Sequence, residues 1–157
     1  MNLPQQIANH FRTFYFGGNW TDVNLKDSLT GVTWQQAATQ VHECNSIATL
    51  LFHMNYYVRV VSKVLLGNPL DGNDKESFDH SPVKSPEDWE QLQHTVFTDA
   101  ENFARLIERL PEEKFDEIFR NEKYGNYYRN IHGIIEHNHY HLGQIILLKK
   151  IINQVNK

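Results

Sequence analysis

His137 and His141 stand four residues apart in the run Glu136-His137-Asn138-His139-Tyr140-His141-Leu142-Gly143-Gln144. On an α-helix, positions i and i+4 lie about 40° apart around the axis, so the two imidazoles share a stripe and can converge on one ion. A pair is half of a metal site, and a third ligand must come from another element. His53, in Ile47-Ala48-Thr49-Leu50-Leu51-Phe52-His53-Met54, is the candidate. Taken alone, an imidazole in such apolar company reads as a hydrogen-bonded core residue. Set beside the pair, it completes a set of three neutral imidazoles from two facing helices. That set leaves coordination positions open, as catalytic sites for zinc and similar ions require.

The other histidines sort by angle and distance. Relative to His137, His139 lies about 200° around the helix and His132 about 140° the other way, so both fall off the stripe and read as surface or packing residues. His42 precedes His53 by eleven residues, roughly 16 Å along one helix axis, which is too far for the same ion. His10, His80 and His94 carry no spacing signal. Glu136-x-x-His139 matches half of a di-iron carboxylate site, but there is no second Glu-x-x-His to complete it. No His-Glu-x-x-His is present, and His132 to His137 is one residue too long for the inverted zincin pattern.

Three further residues are candidates for supporting the metal or lining a substrate pocket. Gln144 follows His141 by three residues, so it can orient a ligand or a bound water, or else act as a buried amide bridging helices. Tyr57 lies one turn beyond His53 and can donate a phenolic hydrogen bond into the site, or pack as an amphipathic core residue. Glu136 adjoins His137. Cys44 lies nine residues before His53 and is expected to be a small buried residue rather than a nucleophile. No general base is assigned.

Helical periodicity supplies the elements that must position these side chains. The first helix is expected over Leu3 to Phe16, with Gly17-Gly18 ending it. A single turn is expected over residues 24–29. Thr33 and Gln36 form a capping box that opens a second helix, expected to continue unusually far, to Leu66, before Gly67-Asn68-Pro69. Residues 71–84 are polar and aperiodic, which predicts an exposed connection. Ser85-Pro86-Glu87-Asp88 opens a third helix, which Pro111 stops. Residues 111–125 read as a mixed connection. The last helix is expected over residues 126–155, with Ile131, Ile134, Ile135, Leu142, Ile145, Ile146 and Ile152 on its apolar stripe. The fold class is therefore all-α, a four-helix bundle in a single domain.

Composition narrows the function classes. The chain has 157 residues, 40% of them hydrophobic, which suits one core. A net charge of −4 with scattered Lys and Arg offers no continuous basic surface for nucleic acid. The basic pair Lys149-Lys150 suits the negative end of a helix dipole. No segment approaches the roughly 18 apolar residues of a membrane span. One cysteine cannot build a disulfide framework or a cysteine zinc cluster, which favours a reducing cytoplasm.

The C-terminal His137-x-x-Tyr140-His141-x-Gly143-Gln144-Ile145, combined with His53, resembles the DinB-like superfamily over most of the chain. The Gly17-Gly18-Asn19-Trp20-Thr21 loop and Thr33-Trp34-Gln35-Gln36 are similar to a subgroup of small bacterial members. The resemblance implies a four-helix bundle with an uncommon connection order, often a homodimer, holding a divalent metal on three histidines at the positions of His53, His137 and His141. It also implies a chemistry. Relatives include thiol-dependent transferases and isomerases using bacillithiol or mycothiol, and others are described as metal-dependent hydrolases. The expected function is activation by zinc or nickel of a low-molecular-weight thiol or water for attack on a small-molecule electrophile. The competing class is a non-catalytic bundle that binds metal or a small ligand and uses its aromatic loops for dimer or partner contacts. Specificity would come from the loops around Trp20, residues 71–84 and residues 111–125.

Overall fold

The helix starts are set by side-chain caps. Asn2 accepts from the Gln5 backbone N–H at 3.1 Å while Gln5 accepts in return from Asn2, and this box opens α1 (Leu3–Phe16). Gly17, at φ 101°, ends it, a backbone angle that L side chains rarely adopt. Asn24 caps the short α2 (Leu25–Leu29), and the Thr33–Gln36 box opens α3 (Trp34–Ala38). The computed structural model describes residues 1–155.

The second long helix differs from the sequence expectation. It does not run from Thr33 to Leu66, because α3 stops at Ala38, the chain turns extended at Thr39, and His42 adopts a left-handed φ of 51°. Ser46 then caps a separate helix, α4 (Ile47–Leu65), its hydroxyl accepting from the Thr49 N–H at 3.1 Å. Cys44 is consequently exposed on the intervening loop rather than buried. His42 shares no helix with His53, so the axial spacing argued for it does not apply.

Residues 71–84 are also less detached than their composition suggests. They contain a 3₁₀ turn, Glu76–Phe78, whose Ser77 is fully buried against α4. Ser85 caps α5 (Pro86–Glu108), and Pro111 stands beyond its end. Residues 111–125 hold 3₁₀ turns at Glu112–Asp116 and Glu122–Tyr124, pinned by an isolated bridge between Ile118 and Asn126. The chain closes with α6 (Tyr127–Val155). Among the described residues the structure is all-helical, with six α-helices where four were expected.

The four long helices pack in a ring: α1 on α5, α5 on α4, α4 on α6, and α6 back on α1. Phe11, Phe14 and Tyr15 of α1 are fully buried, and Phe11 meets Phe103 of α5 edge to face at 4.9 Å. Each such ring removed from water contributes about 1.5–3 kcal/mol. The indole of Trp89 donates to the Val32 carbonyl at 3.0 Å, fastening the α2–α3 segment to α5. Arg12 reaches across from α1 to both Glu101 and Glu108. No helix among the described residues is long and apolar enough to cross a membrane.

Candidate metal centre

His53 faces the interior from the second turn of α4, and His137 and His141 face it from adjacent turns of α6. Ring packing between α4 and α6 brings the three together. Nε2 of His137 lies 3.1 Å from Nε2 of His53 and 3.1 Å from Nε2 of His141. All three residues offer a ligand atom within 4.8 Å of the others. Two nitrogens each about 2.05 Å from a tetrahedral zinc stand about 3.3 Å apart, so the spacing is that of a shared ion.

The tautomers follow from the outer partners. Ser77 Oγ donates to the Asp74 carbonyl at 2.6 Å, so it must accept from His53 Nδ1 at 2.9 Å. This places the His53 proton on Nδ1 and its lone pair on Nε2. Likewise Gln144 Oε1 can only accept, so His141 Nδ1 carries the proton in their 2.7 Å contact and its Nε2 is also a lone pair. His137 therefore faces two lone pairs, while its buried Nδ1 has no partner. If its own proton sits on Nδ1, three lone pairs converge. If it sits on Nε2, only one N–H serves two acceptors and a buried lone pair is left over. One cation among the three Nε2 atoms resolves the first arrangement, and the donor set fits it.

Burial lowers the pKa of all three imidazoles below the usual histidine range, with His141 also opposing protonation of the other two; His137 is lowered to about 4. Neutral rings are the ligand form. The Phe78 ring stacks on His53 at 4.1 Å, and Tyr57 sets its edge against both His53 and His137 at 5.2 Å.

A cavity of about 740 Å³ opens beside His53 and His137 and includes Tyr57, Asp74 and Glu136 in its wall. The Tyr57 hydroxyl donates to Asp74 Oδ1 at 2.9 Å rather than toward the histidines. Gln144 orients His141 within its own helix and also donates to the Tyr140 hydroxyl at 3.3 Å, so it does not bridge helices. Glu136 is exposed at the cavity wall.

The remaining histidines stand apart from this cluster. His139 donates from Nδ1 to the Ile135 carbonyl and packs edge-on to Phe14. His132 stacks on Tyr128 and faces His10. His80 pairs with Thr49 at 2.9 Å. Sequence reasoning missed Ser77, Phe78 and Asp74, which sit in an aperiodic polar connection. The one signal available was Phe78, a lone aromatic in that polar run.

Comparison with curated proteins and with solved structures gives no significant match. The family model of the DinB superfamily matches residues 24–145, a span that contains His53, His137, His141 and Gln144, and the chain belongs to that superfamily.

Proposed function

We propose that this protein is a divalent-metal-dependent enzyme in which His53, His137 and His141 hold the ion, and that a low-molecular-weight thiol or water is activated there for attack on a small electrophile. The carrying observation is the convergence of three neutral imidazoles, two with tautomers fixed by outer partners, with His53 and His137 at the wall of an open cavity. When bound, zinc or nickel would supply Lewis acidity that lowers the pKa of the thiol or water.

The chain's own residues do the positioning. Ser77 and Gln144 hold the His53 and His141 rings with their Nε2 atoms aimed inward, and such outer contacts also raise ligand basicity. Phe78 and Tyr57 pack their rings against His53. Tyr57 and Asp74, hydrogen-bonded to each other at the cavity wall, form a polar pair that can exchange a proton with a bound molecule. A structural zinc site is closed by four protein ligands. Three imidazoles beside a cavity favour the catalytic reading over the structural one. The exposed thiol of Cys44 suits a reducing, cytoplasmic setting.

The test is elemental analysis of the purified, untagged protein beside a His53→Ala, His137→Ala double variant that circular dichroism shows to be folded. About one metal per wild-type chain, lost in the variant, supports the proposal and leads to assays of thiol transfer and hydrolysis. No metal in the wild type after incubation with zinc, nickel or manganese overturns it.

A further inference from the structure

The cavity extends well beyond the histidines, and its far end has a different character. Arg129 and Lys123 both line it. Neither is ion-paired with a carboxylate among the described residues, in contrast to Arg12, Arg59, Arg105 and Lys114. Arg129 lies eight residues before His137 on α6, about 12 Å along the helix axis. It stands near the start of that helix, where the dipole is also positive. The acids of the wall, Asp74 and Glu136, are tied by hydrogen bond or by sequence to the histidine end: Asp74 bonds Tyr57, and Glu136 adjoins His137.

The lining also has an apolar part. Val60, Val61 and Leu70 contribute one side. Gly133, at the midpoint of the Arg129 to His137 stripe, has nothing within 4 Å of where a Cβ would sit, so the helix surface there is open to a guest.

We infer that the cavity takes an elongated small molecule carrying an anionic group at one end, held by Arg129 and Lys123, with an apolar middle lying over Gly133 and its reacting end at the histidines. Assignment of the reacting end rests on the function proposed above. The anion end and the apolar floor are independent of it. A polarised slot of this kind selects by length as well as by charge, because Arg129 and His137 leave the helix about 12 Å apart along its axis.

The test uses metal-free protein and two fluorescent probes of similar shape: 8-anilinonaphthalene-1-sulfonate, which carries an anion, and N-phenyl-1-naphthylamine, which does not. Wild type should bind the sulfonate more tightly than the amine. The Lys123→Gln, Arg129→Gln double variant should bind the sulfonate about five- to tenfold more weakly and the amine unchanged, as expected for two exposed charge contacts. Gly133→Leu, a change to a better helix former in open space, should weaken both probes. Circular dichroism confirms the fold of each variant, and elemental analysis of metal-loaded samples should show unchanged metal content. Equal affinity for the two probes in wild type, or undiminished sulfonate binding in the double variant, overturns the inference. Absence of metal from the wild type after loading, with these probe results intact, would instead refute the three-histidine reading alone.

Discussion

Replacing Ser77 with alanine tests whether the outer contacts set the metal affinity. Ser77 is fully buried, accepts from His53 Nδ1 at 2.9 Å and donates to the Asp74 carbonyl at 2.6 Å. The alanine variant leaves the His53 N–H without an acceptor. Its proton is then free to move to Nε2, which removes the lone pair that would bind the ion. Loss of an outer partner of this kind weakens metal binding by about 10- to 100-fold, or about 1.4–2.8 kcal/mol. Competition against a chromophoric chelator at 25 °C measures it. The control is Ser62→Ala, since the Ser62 hydroxyl bonds only the Val58 carbonyl on the same helix as His53. Its metal affinity should match wild type. A folded Ser77→Ala protein with affinity within about twofold of wild type would refute the claim that the Ser77 contact fixes the His53 tautomer.

Acid should destabilise the metal-free protein in a defined window. His53, His137 and His141 have folded pKa values below the ordinary 6.5, His137 at about 4. The unfolded chain therefore gains protons first as the pH drops, so stability should hold above pH 7 and decline from about 6.5 toward 4. Urea midpoints across that range should show the decline, with a shallower slope in His137→Asn; an unchanged slope would assign the effect to other groups. Ser46→Ala should cost about 1 kcal/mol of stability by chemical denaturation, because it removes the acceptor for the Thr49 N–H at the start of α4. Phe11→Ala should cost about 3–5 kcal/mol, since its ring is fully buried against Phe103 and Tyr15. A loss under about 1 kcal/mol would mean the core collapses around the gap.

What the sequence disclosed, and what it hid, divides along the range of the interactions involved. His137 and His141 share a stripe by helix geometry alone, and Gln144 reaches His141 within the same turn, so both relations are visible at spacings of four and three. Caps are equally local: Thr33 and Ser85 each mark a helix start that the structure contains. A cap, however, fixes where a helix begins and says nothing of where it stops. The Thr33 box therefore did not reveal that α3 ends after Ala38, although the polar run from His42 to Asn45 ahead of Ser46 carries a second start signal. His53 was placed by its chemistry rather than its spacing, and only packing of α4 on α6 brings it to His137. Ser77 escaped entirely, because its contact with His53 spans 24 residues through a connection with no period. Hydrogen-bond accounting in the folded state recovers it: a serine whose hydroxyl proton is already committed to a carbonyl can meet an imidazole only as an acceptor. That constraint orients His53 for an ion, and no pattern along the chain encodes it.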